Sequence, residues 1–390
     1  MAGSVLTLNA GSTSLKFALF EAATLAPILR GEIADMDAEA QLTVQGRADV
    51  PLVEKRWSRG TSFGSVLHDL LEFIHSRAGR EGLTAVGHRI VHGGPDHIAP
   101  EPATPEVIAA LEALTPFDPL HLPHNLAPLR AIAAGRPDLP QVVCFDTAFH
   151  HNMPDVAQAI ALPAAVAGAE VRRYGFHGLS YEYVARHLVK NATALARARV
   201  IVAHLGAGAS LCALLGGVSI ATTMGFSVLD GLVMATRCGS IDAGAILYLA
   251  RLGHSFAEIE DILYHRSGLL GVSGISGDMR VLLATDAPAA RAAIELFTYR
   301  IAVEAGGLAS ALGGFDGLVF TGGIGEHSPA IRAGVCTRLE WLGLRLDASA
   351  NEAGADCIST SNSKIDVRVI ATDEEAMIAH HTREVTHARG

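Results

Sequence analysis

Cysteine is scarce in this chain of 390 residues, which has only five, and no two of them form a CxxC pair. A small secreted protein stabilised by disulfides usually has many regularly spaced cysteines, so that class is excluded. The irregular spacing predicts reduced thiols in a cytoplasmic protein. The five are Cys144, Cys212, Cys238, Cys336 and Cys357.

Positive charge is also in short supply, since 30 Lys and Arg residues face 40 Asp and Glu residues and the formal net charge is −10. No basic stripe is visible, which argues against a nucleic-acid partner. A long uncharged run, residues 200–229, contains His204 and five glycines, and its alternation predicts paired strands rather than a membrane span. We also expect no secretory leader, because no charged segment followed by an apolar one opens the chain.

Hydrophobic residues are plentiful by contrast. They make up 49% of the chain, whereas charged residues make up 18%. This composition is typical of a soluble, folded enzyme and disfavours disorder. A chain of this length is long enough for two domains, each with its own core.

Near the start of the chain, two apolar strand-like runs flank a small polar turn. The turn covers residues 9–14, and Lys16 enters the second run. Glycine and serine let backbone N–H groups approach an anion, and Lys16 adds a positive charge, so the segment could cradle a phosphate. The same composition is also typical of an ordinary hairpin turn.

The same strand–turn–strand layout returns at residues 200–215, which hints at an internally duplicated architecture. Elsewhere strands alternate with helices, as in an α/β fold. Residues 116–124 are rich in proline and are predicted as a rigid loop that forms the wall of a site. Residues 322–325 are predicted as a turn between a strand and a helix.

Eight short motifs follow one another along the chain, each modest alone but specific together. They are Asn9-Ala-Gly-Ser-Thr-Ser-Leu-Lys16, Gly87-His-Arg-Ile-Val-His-Gly-Gly94, Phe145-Asp-Thr-Ala-Phe149, Arg173-Tyr-Gly-Phe-His-Gly178, His204-Leu-Gly206, Thr236-Arg237, Gly323-Ile-Gly-Glu326 and Thr372-Asp-Glu-Glu375. In this order they resemble the acetate kinase (acetokinase) family over essentially the whole chain.

The resemblance implies a fold of the acetate and sugar kinase, heat-shock-70 and actin superfamily. This is an α/β, two-lobed, actin-like and ribonuclease H-like fold with a duplicated βββαβαβα core that closes over Mg-ATP and an acyl substrate. Residues 1–147 with 372–390 would form the N-terminal lobe, completed by a C-terminal helix. Residues 148–371 would form the second lobe, with the nucleotide pocket and the contacts of a homodimer.

The reaction implied by the resemblance is phosphoryl transfer from ATP to acetate, giving acetyl phosphate and ADP, and its reverse. Acetate is ionised at pH 7, so the acceptor needs no general base. The difficulty is electrostatic, because an anion must approach a phosphoryl group, and the site should therefore supply cations and donors. Two other interpretations stay open: a propionate or other short-chain acyl kinase, and an ATP-binding paralogue with little or no turnover.

Five residues are implied to act on the reacting groups. Arg89 would bind the acetate carboxylate, while Arg237 and His177 would stabilise the equatorial oxygens in the transition state. Asp146 would position Mg²⁺ or its water, and His121 would lie beside the carboxylate or phosphoryl group. The alternatives are a salt bridge for either arginine, a core position for His177 and a turn cap for Asp146.

The implied metal is Mg²⁺ or Mn²⁺, held by Asn9 and Glu374 with few other protein oxygens. Glu375 is the alternative ligand, and either glutamate could instead be a carboxylate favoured in the first turn of a helix. A metal pair formed by His121 and His124 is not favoured, because no third ligand is evident.

The resemblance also implies how ATP or ADP and the acyl group are bound. The phosphates would contact two turns, namely Lys16 with Ser12 and Ser14, and His204, Leu205, Gly206, Ala207 and Gly208. The adenosine pocket would comprise Asp278, Met279, Arg280, Gly323, Ile324, Gly325, Glu326 and His327. Beside Arg89, a small apolar pocket suited to a methyl group would be formed by Val91, Leu120, Phe176 and Val228.

Several positions depart from the usual pattern of the family. Ala207 replaces an asparagine whose side chain would donate near the phosphates, and Val228 replaces a proline beside the acyl pocket. The other departures are Leu122 for Asn, His124 for Pro, Tyr181 for His, Ser240 for Asp and His327 for Asn. The central polar and charged set is intact, so we expect a working kinase.

Overall fold

Two compact units make up the chain in a computed structural model that describes residues 3–11, 14–36, 38–46, 51–78 and 82–388. The first unit comprises Met1–Phe149 with Asp373–Gly390, and the second comprises His150–Thr372. Each unit is built around one β-sheet with helices packed against it.

The strands are β1 (Ser4–Ala10), β2 (Leu15–Glu21), β3 (Pro27–Ala34), β4 (Gln41–Gly46), β5 (Pro51–Arg56), β6 (Leu83–Ile90), β7 (Glu101–Pro102), β8 (Gln141–Phe145), β9 (Arg199–Leu205), β10 (Ala209–Leu215), β11 (Val218–Thr222), β12 (Gly317–Thr321) and β13 (Asp366–Val369). Short 3₁₀ helices cover Thr115–Phe117, Ala148–His150 and Glu340–Leu342.

The α-helices are α1 (Phe63–His75), α2 (Pro105–Ala113), α3 (Leu122–Gly135), α4 (Asp155–Gln158), α5 (Ala164–Ala167), α6 (Gly178–Asn191), α7 (Thr193–Ala196), α8 (Ala243–Arg251), α9 (Phe256–His265), α10 (Gly268–Ser273), α11 (Met279–Leu283), α12 (Pro288–Leu312), α13 (Gly322–His327), α14 (Pro329–Arg338), α15 (Ala348–Glu352) and α16 (Glu374–His387). Within the described ranges, none of these helices is long and apolar enough to cross a membrane.

The sheet of the first unit has eight strands in the order β5-β4-β3-β2-β1-β6-β8-β7. The opening hairpin predicted from the sequence is confirmed, because β1 pairs antiparallel with β2 and places Asn9 opposite Lys16. Strand β1 pairs parallel with β6, which in turn pairs parallel with β8. The C-terminal ends of β6 and β8 therefore lie side by side. Arg89 is the second-last residue of β6, and Asp146 directly follows β8.

The sheet of the second unit has five strands in the order β11-β10-β9-β12-β13. Strands β9 to β11 are antiparallel, while β12 is parallel to both β9 and β13. The strands β3-β2-β1-β6-β8 of the first unit repeat this pattern, because three antiparallel strands are followed by two parallel ones. This repeat confirms the predicted duplication, and the uncharged run 200–229 forms strands as expected.

Helix α1 begins with a side-chain cap. The hydroxyl of Ser62 accepts a hydrogen bond from the Ser65 N–H, and an apolar stripe including Leu67 and Leu70 is buried against β1 and its neighbours. Such a cap satisfies one of the N–H groups that a helix start leaves without an internal partner. The stripe thereby fixes the back of the sheet from which the functional residues extend.

Two local predictions are wrong. Residues 116–124 are not all loop, because α3 begins at Leu122 with Pro123 in its first turn, where a missing N–H costs nothing. Residues 322–325 are not an open turn but the start of helix α13. The Glu326 carboxylate accepts a hydrogen bond from the Gly322 N–H at 2.8 Å and closes that segment into a helical turn.

Candidate active site

In the first unit, Arg89 and Asp146 form a tight ion pair at the ends of β6 and β8. The Arg89 Nε donates to both carboxylate oxygens of Asp146 at 3.0 Å, and Nη2 donates to Oδ2 as well. The Asp146 side chain is fully buried, whereas the Arg89 side chain keeps 19% of its exposure. The parallel pairing of β6 and β8 brings the two residues together, although 57 positions separate them.

Asn9 and Glu374 extend this pair into a chain of four side chains. The Arg89 Nη1 donates to Asn9 Oδ1 at 3.0 Å, and Asn9 Nδ2 donates to Glu374 Oε2 at 3.2 Å. Asn9 is near the end of β1, and Glu374 is the first residue of α16. The structure thus brings together four residues that the sequence singled out.

The charges on and around these four linked side chains favour the binding of a further cation. Burial raises the pKa of Glu374, the Arg89 guanidinium lowers it, and the carboxylates of Asp146 and Glu375 raise it again, to about 7. Burial opposes the charge on Arg89, but Asp146 and Glu374 outweigh it and raise the pKa of Arg89 above its usual value. Three carboxylates facing one guanidinium leave an excess of negative charge that a divalent ion would relieve.

The oxygen atoms present fit a magnesium ion of low protein coordination. Carboxylate and amide oxygens from Asn9, Glu374 and Asp146 are the ligands that Mg²⁺ takes, usually one or two with the remainder supplied by water and phosphate. Over the described ranges no group of three or more His, Cys, Asp and Glu residues forms a closed metal site, so a His121–His124 pair finds no third ligand there.

Lys16 lies in β2, opposite Asn9, with an exposed side chain. It borders an open groove over β2, β3 and β4, and its charge lowers the pKa of Glu374. Ser14 closes the hairpin turn by accepting the Gly11 N–H at 2.7 Å, while Ser12 lies outside the described residues. The groove is lined by Lys16, Phe17, Arg30, Gly31, Glu32, Thr43, Gln45 and Glu375.

His121 and Val91 are each fixed by a buried polar partner. The His121 Nδ1 is 2.8 Å from Asp118 Oδ1, which also accepts the His121 backbone N–H. The Val91 N–H donates to Asn125 Oδ1 at 2.8 Å, and Asn125 also donates to the Ala10 carbonyl. Sequence reasoning missed Asn125, whose only signal is a polar residue on the buried face of α3. Leu120 lies in the turn before α3.

In the second unit, His177 occupies a position of backbone strain. Its φ is 58°, in the left-handed region that non-glycine residues rarely adopt, just before α6. Its ring stacks on His204 with centroids 4.3 Å apart, and its Nδ1 is 2.9 Å from Ser210 Oγ. Strain of this kind persists only where the surroundings enforce it and is common at functional sites.

Gly208 lies close to the side chains of both His177 and Arg237. A Cβ atom at Gly208 would lie 2.9 Å from Arg237 Nη2 and 3.1 Å from His177 Nε2, so only glycine permits this close approach. The Arg237 Nη1 donates to the Val228 carbonyl at 2.9 Å, and the Ala235 N–H donates to the Ala207 carbonyl. Gly208 is therefore packed directly against the side chains of both His177 and Arg237.

Phe176, next to His177, is held by a buried histidine. The His150 Nε2 lies 3.0 Å from the Phe176 carbonyl and its Nδ1 lies 2.8 Å from Ser219 Oγ. Burial lowers the pKa of His150 to about 4 and keeps it neutral. The backbone of the Phe176–His177 segment is thereby tied to the sheet.

The predicted adenosine residues form two separate local structures. Asp278 caps α11 and pairs with the exposed Arg280, while Met279 is buried. The carboxylate of Glu326 accepts both the Gly322 and Thr372 N–H groups, so it holds backbone. Gly323 and His327 belong with Ile324, Gly325 and Glu326 to helix α13.

Behind α13 lies a buried arginine that sequence reasoning missed. Arg332 is 1% exposed, and its guanidinium donates to the Gly325 carbonyl at 2.9 Å, the Glu326 carbonyl at 2.8 Å and both oxygens of Asn351 at 2.6 and 2.8 Å. All four acceptors are uncharged. Arg332 thus fixes the C-terminal end of α13 through neutral oxygens. Its positive charge lies at the end of the helix where the helix dipole favours a cation.

Comparison with solved structures defines the class of protein. The chain matches a propionate kinase from Francisella tularensis subsp. tularensis SCHU S4 with a TM-score of 0.92 and 36% identity, covering 99% of this chain and all of that one. It matches an acetate kinase from Porphyromonas gingivalis with a TM-score of 0.87 and 36% identity, over 99% of this chain and all of that one. These matches confirm the predicted actin-like α/β fold and place the chain among kinases of short carboxylic acids.

The sequence comparisons narrow the class to a family. Residues 4–380 match the model of the acetokinase family. An acetate kinase from Rhodopseudomonas palustris is 52% identical over 389 residues, covering 98% of both chains, and one from Nitrobacter hamburgensis is 47% identical over 393 residues, covering 97% of this chain and 95% of that protein. The chain belongs to the acetokinase family. It is a phosphotransferase with a carboxyl group as acceptor.

Proposed function

We propose that this protein transfers the terminal phosphoryl group of ATP to acetate, giving acetyl phosphate and ADP, and catalyses the reverse reaction. The observation that carries the proposal is the Arg89–Asp146 pair. Of the five N–H groups of a guanidinium, Nε–H and one on each terminal nitrogen are engaged by Asp146 and Asn9. One N–H remains on each terminal nitrogen for a carboxylate.

Asp146 in this proposal orients Arg89 and does not accept a proton. Acetate is already ionised at pH 7, so no base is required. The bidentate contact fixes the plane of the guanidinium and leaves its outer edge for the substrate. Arg89 thereby reduces the repulsion between the acetate and the incoming phosphoryl group.

Arg237 and His177 are proposed to stabilise the charge that spreads over the phosphoryl oxygens in the transition state. Their support is the close packing of both side chains against Gly208 and the strained backbone of His177. His121, held by Asp118, is proposed to donate to the carboxylate or phosphoryl oxygens. Lys16, Ser14 and the turn 204–208 would contact the phosphates, and the segments 278–280 and 323–327 the adenosine.

The acyl pocket is proposed to consist of Val91, Leu120, Phe176 and Val228. Val91, Phe176 and Val228 are buried, at 3%, 1% and 5% exposure, and their side chains are apolar. Propionate is the second candidate, because a solved relative is a propionate kinase and Val228 stands where the family pattern has proline. One methylene changes specificity by about 1–3 kcal/mol, so acetate should be preferred by about tenfold or more.

A hydroxylamine trap tests the activity and the substrate together. Purified protein with ATP, Mg²⁺ and hydroxylamine should give acyl hydroxamate from acetate, with kcat/KM falling about tenfold or more for propionate and further for butyrate. Reversed preference would favour the propionate kinase alternative. Absence of hydroxamate from all three acids, with ATP binding intact by calorimetry, would instead identify a nucleotide-binding protein without turnover.

Mg²⁺ or Mn²⁺ is proposed to be held by Asn9 and Glu374. When bound, the ion would neutralise charge on the nucleotide phosphates. The ligands must be unprotonated, so a proton on Glu374 competes with the metal. Because Glu374 has a pKa of about 7, its carboxylate is available above that pH and is lost progressively below it.

We therefore expect the affinity of the nucleotide-free protein for Mn²⁺ to be constant above pH 7 and to fall about tenfold per pH unit below it. Electron paramagnetic resonance of free Mn²⁺ measures this directly. Glu374→Gln should remove both the tight binding and its pH dependence, whereas the neighbouring Glu375→Gln should keep them. The opposite result for these two variants would transfer the ligand role to Glu375.

A homodimer is proposed on the basis of helix α8. Its residues include no buried side chain, although Leu247, Tyr248 and, just after it, Leu252 are apolar and 58%, 59% and 59% exposed. An apolar helix left uncovered in one copy is typical of a surface that a second copy covers. Light scattering should give twice the monomer mass, and Leu247→Glu with Tyr248→Glu should give the monomer.

A cytoplasmic location is proposed because none of the five cysteines, all in the described part of the chain, forms a disulfide.

A further inference from the structure

A buried chain of hydroxyl groups ends on the ring of His177. Tyr181, in the first turns of α6, and Ser210, in β10, are both fully buried. The Tyr181 hydroxyl lies 2.5 Å from Ser210 Oγ, and Ser210 Oγ lies 2.9 Å from His177 Nδ1. The three groups form one line of hydrogen bonds that begins in the core and reaches the histidine.

The direction of this chain follows from its buried end. Among the residues that the structure describes, Ser210 Oγ is the only hydrogen-bond partner of the Tyr181 hydroxyl. A buried O–H without an acceptor costs about 1–3 kcal/mol, so the tyrosine proton points to Ser210. Ser210 has a single proton of its own, and its other partner is His177 Nδ1.

The serine proton is therefore donated to His177 Nδ1, which must accept with its lone pair. A neutral imidazole carries its proton on one nitrogen only, so the proton of His177 resides on Nε2. In the Nδ1–H tautomer, Ser210 Oγ would accept from both Tyr181 and His177, and the serine proton would be buried without either of these two groups as its acceptor. The nitrogen Nε2 is the one that faces Gly208, beside which Arg237 Nη2 also lies.

We infer that Tyr181 and Ser210 are positioning residues that set the tautomer of His177, so that Nε2 presents a hydrogen-bond donor to the transferring phosphoryl group. The inference rests on the proposed function for its consequence, but the tautomer itself does not depend on it. Phosphoryl oxygens only accept hydrogen bonds, so the other tautomer would direct a lone pair at them. The left-handed backbone of His177 fixes the ring so that Nδ1 points inward to the serine.

The first test reads the tautomer without any substrate. In protein with ¹⁵N-labelled histidine, two-bond ¹H–¹⁵N spectra distinguish a protonated ring nitrogen from one with a lone pair. The His177 signals are assigned by their loss in His177→Gln. The wild type should show a protonated Nε2 and an unprotonated Nδ1. A protonated Nδ1 in the neutral ring would overturn the inference, whether or not the protein phosphorylates acetate.

The second test measures the consequence for turnover. Tyr181→Phe removes the buried hydroxyl with little change in shape, and Ser210→Ala removes the donor itself. Each should lower kcat about tenfold, with the KM values for ATP and acetate changed by less than about twofold, since only a transition-state contact is weakened. The double variant should be no slower than the slower single one, because both act through one chain of bonds.

Tyr174→Phe is the matched control, since it removes another tyrosine hydroxyl of the second unit, which donates to the Glu170 carbonyl. It should leave both kcat and the spectrum of His177 unchanged. Unchanged kcat and tautomer in Tyr181→Phe would overturn the inference. Wild-type protein that forms no hydroxamate would refute the proposed function instead, while the tautomer measurement would still decide the role of the hydroxyl chain.

Discussion

Replacing Arg89 by alanine is expected to lower turnover by about 10³-fold or more and to destabilise the first unit by about 3–5 kcal/mol. The loss of turnover follows because the guanidinium proposed to bind the acetate carboxylate would be missing. The loss of stability follows because the fully buried Asp146 carboxylate would be left without its partner. Glu374 and Asn9 would also lose the cation that links them to Asp146.

Two variants separate these effects. Arg89→Lys keeps a charge but cannot form the bidentate contact, so turnover should still fall steeply while stability falls less. Arg89→Ala with Asp146→Asn removes the isolated carboxylate and should recover much of the stability without recovering turnover. Urea unfolding and the hydroxamate rate measure the two quantities. A near-normal rate for Arg89→Ala would refute its role as the acetate-binding group.

Replacing Arg332 by methionine is expected to cost about 3–4 kcal/mol of unfolding free energy and to weaken ATP binding. The side chain is buried and donates to four neutral oxygens, two of them the carbonyls of Gly325 and Glu326. Methionine fills similar volume but donates nothing, so these acceptors would be buried without partners. Helix α13, which the proposed adenosine pocket uses, would then lose the contact that fixes its end.

Arg338→Met in the same helix α14 is the matched control. Its guanidinium is partly exposed and pairs with the exposed Glu295, and such pairs contribute about 0–1 kcal/mol. Chemical denaturation should show a clear loss of unfolding free energy for Arg332→Met and almost none for Arg338→Met. Calorimetry should likewise show a larger loss of ADP affinity for Arg332→Met than for Arg338→Met. An equal loss of unfolding free energy in both variants would mean that the buried hydrogen bonds of Arg332 stabilise the protein no more than the ion pair of Arg338 does.

The sequence predicted those parts of the structure whose causes are local. The hairpin of β1 and β2 follows from two apolar runs and a small polar turn. Helices α3 and α13 were missed at their starts because proline and glycine usually signal a loop. Only the tertiary context, such as Glu326 folding back on Gly322, makes a helix there.

The residues of the candidate site also differ in how far the sequence alone predicts them. Arg89 and Asp146 could be expected to lie together, because both occur at the ends of strands in an α/β pattern. Asn9 and Glu374, which the resemblance to the family pairs as metal ligands, are also in contact, although 365 positions separate them. Asn125, Arg332 and Ser210 were missed, and Tyr181 was noted only as a departure from the family pattern, because the local sequence does not show their contacts. Each is an ordinary polar residue whose importance depends on what tertiary folding places beside it.

Helix α16 has a consequence for the order in which the chain can fold during synthesis. It packs on β1, β6 and β8, and the side chains of Ile378 and Thr382 occupy the space beside Gly87, where even a methyl group would overlap them. The ribosome makes this helix only after the whole second unit has been made. The second unit can therefore fold first, while the first unit waits with one face of its sheet uncovered. Only after α16 has been made can the first unit complete its fold, with Glu374 placed beside Asn9.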